Sequence, residues 1–189
     1  MNRRPLGFLT LALVLVGACF ASYDALGQSG SASALPPFGG PNAPQPAMAT
    51  NGRGLVFAAA DLKRAYGGPV EKMSQAHLAW TPEYRLTVLA RPHVEPAAAS
   101  SEMHEDKTQI YFILSGTGTQ ILGGTPAKDN VSAEGQHSST GPLQGGNSYK
   151  IGPGDVVFIP PMTWHQTLPD AGQTIVYSMV HIETRTRMP

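Results

Sequence analysis

Turn-forming residues cut the C-terminal part of this 189-residue chain into runs too short for ordinary helices. Ser115-Gly116-Thr117-Gly118, Gly145-Gly146, Gly152-Pro153-Gly154 and Asp170-Ala171-Gly172 each mark a reversal. Between them lie runs rich in β-branched and aromatic residues, such as Ile110-Tyr111-Phe112-Ile113-Leu114. His77 to Trp80 and Tyr84 to Arg91 also read as strands, and the second alternates enough for one buried face. Thr174 to Glu183 places Ile175, Tyr177, Met179 and His181 on a single face. Short strands at this spacing predict one all-β domain of about 110 residues, a size that one hydrophobic core can hold together.

The N-terminal third differs in composition. Gly54 to Tyr66 predicts a short helix over Leu62 to Tyr66, with Asp61 as its N-cap and Gly67-Gly68-Pro69 as its stop. Upstream, Ser22 to Asn51 is made of Ala, Ser, Gly and Pro with few large apolar groups, which predicts a disordered linker. The resulting division is 1–27 as a signal, 28–53 as linker, 54–80 as an extension with a helix, and 81–189 as the β domain. Within that domain Gly123 to Asn147 is long, polar and Gly-rich. With only Val131 and Leu143 as large apolar anchors, it predicts a loop insert.

The first residues have the form of an export signal. Asn2-Arg3-Arg4 is a basic start, and Leu6 to Ala18 is an almost unbroken apolar run. At about 13 residues it is shorter than the roughly 20 needed to span a bilayer. Two processing sites are open. Leu15-Val16-Gly17-Ala18-Cys19 resembles a bacterial lipobox, which would lipidate Cys19, whereas Ala25-Leu26-Gly27 before Gln28 would release a soluble periplasmic or secreted protein. Cys19 is the single cysteine, so the domain has no internal disulfide. Without Arg3 and Arg4 the chain carries eleven basic and thirteen acidic side chains, with no basic stripe, which argues against nucleic-acid binding.

Two segments carry the candidate chemistry. The first is Glu102-Met103-His104, then Gln109, then Gly116; the second is Gly154, Pro160-Pro161-Met162-Thr163-Trp164 and His165. Residues two apart on a strand share a face, so Glu102 and His104 reach one point, as do Thr163 and His165. Glu105-Asp106-Lys107-Thr108 supplies a polar turn between His104 and Gln109.

In their spacing these segments resemble the paired motifs of the cupin superfamily. His104, Gly116, Gly154, Pro160 and His165 stand where that pattern requires them, while Pro96, Glu102, Gln109, Met162 and Pro169 replace its Gly, His, Glu, Gly and Asn. The resemblance implies a single antiparallel jelly-roll β-barrel with a polar interior site, and homodimers that pair through exposed sheet edges.

It also implies a metal site formed by Glu102, His104, Gln109 and His165. One carboxylate, two imidazoles and a neutral amide carry the same ligand charge as the family's three imidazoles and one carboxylate. Such a mixed set suits iron, zinc, manganese or nickel, with Gln109 either as a weak ligand or as a donor orienting Glu102. Tyr111 and Ile113 share the face of Gln109 and, with Thr163, are candidates for the wall that contacts substrate. His137 and His93 read as surface residues, and His181 as a residue lining the barrel or lying between subunits.

Two functions follow. One is a metal-dependent oxygenase or isomerase of the cell envelope acting on a small, anionic or enolisable molecule. The other is a metal-free barrel that binds or senses a small molecule. No Ser-His-Asp order, phosphate loop or dinucleotide fingerprint is present.

Overall fold

A computed structural model of the chain describes residues 35–39, 55–81 and 83–184. The expected signal over 1–27, including Cys19, lies outside the described residues, as does most of the 28–53 linker.

Eleven strands, one α-helix and one 3-10 turn make up the described part. In chain order these are α1 (Ala59–Tyr66), β1 (Ser74–Trp80), β2 (Tyr84–Pro92), the 3-10 turn (Pro96–Ala98), β3 (Ser100–His104), β4 (Lys107–Ser115) and β5 (Gly118–Leu122). They continue with β6 (Asn130–Val131), β7 (Gln136–Thr140), β8 (Asn147–Ile151), β9 (Val156–Ile159), β10 (His165–Pro169) and β11 (Thr174–Glu183). All pairings between them are antiparallel, in two sheets ordered β1-β2-β11-β4-β9 and β6-β7-β3-β10-β5-β8. The hairpin from β3 to β4 crosses from one sheet to the other at Glu105-Asp106, so both sheets contribute to whatever lies between them.

Alternation sorts the side chains into two cores. Leu89, Tyr111, Ile113, Ile175, Tyr177 and Met179 face inward and pack with Ile151, Val157 and Ile159 between the sheets. Outward residues of β1, β2 and β11, namely Ala76, Leu78, Val88, Ala90 and Val176, pack under Tyr66 of α1. Phe112 and Leu114, outward on β4, stay exposed. No helix among the described residues is long and apolar enough to cross a membrane.

Four expectations change in detail. The helix begins at Ala59 rather than Leu62, and Ala58 is its N-cap. Asp61 instead sits in the first turn and accepts a hydrogen bond from Arg64 Nη2 at 2.5 Å. Part of the linker is packed, because Phe38 lies against Tyr66 with ring centroids 4.7 Å apart, Tyr66 donates to the Pro36 carbonyl, and Gly39 bridges Gln75. The sheet starts inside the supposed extension, since β1 is its edge strand.

The fourth difference is the 123–147 insert, which is not simply a loop: β7 pairs along the whole of β3, from Ser100↔Thr140 to His104↔Gln136, and β6 extends the sheet outward. A ribbon at a sheet edge is held by backbone hydrogen bonds, and of the five β7 side chains only Ser139 is buried. It therefore needs few apolar residues, which is why hydrophobicity did not reveal it.

Candidate functional site

Strand pairing places the candidate residues opposite one another. Glu102 of β3 and His165 of β10 are direct cross-strand partners in one sheet. Arg85, His181 and Gln109 form one inward row across β2, β11 and β4 in the other. His104, at the end of β3, meets that row from across the gap.

His165 Nε2 lies 3.2 Å from Glu102 Oε1. The other ring nitrogen, Nδ1, donates to the Thr163 carbonyl at 3.0 Å, which fixes the ring orientation. The second carboxylate oxygen, Oε2, accepts from Gln136 Nε2 at 3.4 Å. Burial pushes the Glu102 carboxyl up, but its hydrogen bond to His165, the charges of His165 and His104, and Arg91 outweigh that and hold it far below the ordinary carboxylate range. Glu102 is thus an ionised, half-buried acceptor on the inner wall.

Gln109, only 1% exposed, joins the two remaining imidazoles. Its Nε2 lies 3.0 Å from His104 Nε2 and 2.5 Å from His181 Nε2, and its Oε1 accepts from Tyr111 at 3.0 Å. Arg85 Nη2 donates to His181 Nδ1 at 2.6 Å. A guanidinium can only donate, so His181 accepts at Nδ1 and carries its proton on Nε2. That proton needs an acceptor. Turning the amide by 180° places its oxygen between the two imidazoles, where it accepts from both, and leaves its NH2 to donate to the Tyr111 hydroxyl. Burial, followed by the facing charge of Arg85, pushes His181 down to about 3. Burial also brings His104 to about 4, against the opposing pull of Glu102. Both rings are neutral near pH 7 and act as fixed hydrogen-bonding groups rather than acid–base catalysts.

This arrangement answers whether a metal ion fits. With both Nε2 protons directed at Gln109, His104 and His181 present no lone pair there. Among the described residues no three His, Cys, Asp or Glu side chains are grouped to hold an ion. As arranged, the side chains do not fit a metal, and Gln109 occupies the space between the imidazoles.

Of the residues named from sequence, Glu102, His104, Gln109 and His165 do converge, with the His104 and His165 ring centroids 6.3 Å apart. Tyr111 joins them, its ring 6.3 Å from His165. Ile113 belongs to the apolar core one row further on. Thr163 contributes its carbonyl to His165, while its hydroxyl donates locally to the Pro161 carbonyl at 3.4 Å. His137 stays outside the site, with Nδ1 2.9 Å from the Asp129 carboxylate and Nε2 3.2 Å from Glu105.

Sequence reasoning underweighted His181 and missed Arg85, Arg91 and His77. His77 Nδ1 lies 3.0 Å from Thr87 Oγ1, and burial followed by Arg85 pushes it down. The available signal was the alternation of β2, which sends Arg85, Thr87, Leu89 and Arg91 inward together.

Among the hollows that the described residues line, two stand out. The larger, about 610 Å³ between Tyr84, Leu86, Val180 and Ile182, is on the outer face of the β2–β11 pair, away from the imidazoles. The smaller, about 330 Å³, lies between the free edge strands β8 and β9, and Gln120, Leu122, Ile151 and Val157 reach it from inside.

Residues 95–187, just under half of the chain, match the family described as AraC-like ligand binding domain. That stretch runs from the start of the 3-10 turn through β11 and contains Glu102, His104, Gln109, His165 and His181. The fold is of the cupin type. Among solved structures, the chain is similar to a cupin 2 conserved barrel domain protein from Rhodopseudomonas palustris, at 22% identity over 61% of this chain and 63% of that one, with a TM-score of 0.40. It thus spans less than two thirds of that protein. A Klebsiella pneumoniae protein with a double-stranded beta-helix domain is similar at 12% identity, with 70% and 93% coverage and a TM-score of 0.47. A DMSP lyase from Ruegeria pomeroyi is similar at 18%, with 63% and 50% coverage and a TM-score of 0.42. No curated protein matches significantly in sequence.

Proposed function

We propose that this chain is a small-molecule-binding cupin barrel whose ligand is held between Glu102–His165 on one sheet and His104, Gln109, Tyr111 and His181 on the other. The observation that carries this reading is the Gln109 amide. Wedged between two neutral imidazoles, it holds them rigid without a metal and leaves the half-buried Glu102 carboxylate, paired with His165, as the polar group that a ligand can meet. Native mass spectrometry of protein purified from an exporting host tests it. A co-purifying small molecule that is lost in the folded His104→Ala/His165→Ala double variant supports the reading. A wild-type protein that carries nothing, and whose thermal stability no metabolite pool raises, overturns it.

A divalent transition metal is the second reading, supported by the convergence of Glu102, His104 and His165. It requires Gln109 to turn away from the imidazoles. Elemental analysis decides: about one equivalent of metal, removed in the double variant, replaces the first reading with this one.

The basic start and apolar run before Cys19 support export to the periplasm, either as a soluble protein or with lipid on Cys19. Fatty-acid labelling that persists in Cys19→Ser eliminates the lipid form. A homodimer is supported by the outward row Leu86, Val180, Ile110 and Phe158, apolar across four strands. Sedimentation equilibrium showing a monomer overturns that pairing.

A further inference from the structure

β8 and β9 follow one another in the chain, yet each is the outer edge of a different sheet, and the hollow of about 330 Å³ lies in the gap between them. Its inner wall stands one strand outward from the imidazole cluster in both sheets. Leu122 is the cross-strand partner of His165, and Val157 is that of Tyr111.

Gln120 brings a polar group to this wall. Its side chain is 0% exposed and lies in one row between Thr167 and Tyr149. Its Oε1 accepts from Thr167 Oγ1 at 2.7 Å, whereas its Nε2 makes a single long bond of 3.3 Å to the carbonyl of the next residue, Ile121. A primary amide carries two N–H donors, so one is left for an acceptor seated in the hollow. A buried donor without a partner is costly, and such an acceptor would recover that cost.

At the rim, Tyr149 shares the inward face of Gln120 but stays 51% exposed, and Phe158 of β9 is 59% exposed. A ring placed between them would bury aromatic surface on both sides. The two charged residues at the border are engaged elsewhere. Lys150 Nζ lies 3.1 Å from Asp170 Oδ1, and Asp155 Oδ2 accepts from the Gly152 N–H at 2.8 Å. With Leu122, Ile151 and Val157 as walls, an ion in the hollow would lose its hydration and gain no partner.

We propose that the hollow between β8 and β9 binds a small neutral aromatic molecule with one acceptor oxygen, held by Gln120 Nε2 at the floor and by Tyr149 and Phe158 at the rim. This site is separate from the imidazole cluster and goes beyond the function proposed above.

Acetophenone is the probe, with ethylbenzene as the analogue lacking the oxygen and benzoate as the charged one. The readout is the NMR shift of the Leu122, Ile151 and Val157 methyl groups in the whole chain. Saturable acetophenone binding in the millimolar range is expected, about tenfold tighter than ethylbenzene, with none of benzoate. Leu122→Phe fills the hollow and should abolish binding. Gln120→Leu should reduce acetophenone to the level of ethylbenzene. Tyr149→Ala, an exposed change that spares the core, should weaken both probes severalfold. Acetophenone that binds folded Leu122→Phe or Tyr149→Ala as well as wild type overturns the site, as does equal binding of benzoate, or no binding at all. Methyl shifts that follow protein concentration without probe also overturn it, because a second copy then fills the gap. Each of these leaves the reading of the imidazole cluster standing, since that is tested on His104 and His165.

Discussion

Arg85 donates its Nη2 proton to Nδ1 of His181 at 2.6 Å, and this one contact fixes the protonation of the interior. It forces the His181 proton onto Nε2 and so makes Gln109 the acceptor on which His181 and His104 both depend.

Gln109→Leu removes that acceptor and strands two buried imidazole protons and the Tyr111 hydroxyl. A loss of about 2–4 kcal/mol is expected, measured by urea denaturation. Gln109→Glu acts in the opposite sense. A carboxylate between the rings raises the pKa of His104 and His181, seen as upward-shifted imidazole titrations by NMR, and supplies the charged third donor that a zinc ion needs. Calorimetry should show zinc binding that the wild type lacks.

His104 and His181 are depressed to about 4 and 3 in the fold, against about 6.5 when unfolded. Unfolding therefore takes up protons in acid. Their contribution is fully present above pH 6.5 and is lost as pH falls from there through the folded values, at up to about 1.4 kcal/mol per pH unit for each ring. Glu102, held low by His165, loses stability in acid with the same sign. In His181→Gln, which cannot protonate, the slope of stability against pH between 6.5 and 4 should fall by about half relative to wild type.

His137 titrates in the reverse sense. Hydrogen bonds to Asp129 and then Glu105 push its pKa up, so its contribution is whole below pH 6.5 and disappears as pH rises through the folded value. Amide protection factors across β6 and β7, corrected for base-catalysed intrinsic exchange, should fall with rising pH in wild type, and His137→Ala should remove that fall.

Met162 has a φ of +60° and donates its backbone N–H to the His104 carbonyl at 2.8 Å, joining the two motifs. Its side chain is 63% exposed and gains little from packing. Met162→Gly relieves the left-handed strain and should stabilise the protein by about 0.5–1 kcal/mol in thermal unfolding, after the greater freedom of glycine in the unfolded chain is offset.

Local patterning carried much of this fold. Periodicity found β11 to the residue and placed β2 and β4, because a strand with one buried face writes its alternation directly into the chain. Same-face geometry placed Glu102 with His104, while the meeting of both with Gln109 and His165 was what the resemblance to the cupin pattern implied. Met162 shows a subtler case: the position where the family pattern has glycine keeps a glycine-like backbone although the residue has changed.

What the chain determined by itself was therefore the strand pattern and the shared face of Glu102 and His104. Tertiary structure alone decided what meets them, with His165 set opposite Glu102 by strand register. The row Arg85–His181–Gln109 joins positions 85, 181 and 109, and pairing in a sheet, rather than any local preference, sets that register. The same applies to Arg91 beside Tyr177 and to the pairing of β7 with β3. Protonation, and with it the choice between holding a metal ion and holding a hydrogen-bonded ligand, depends on which donor faces which acceptor at about 3 Å in a buried interior.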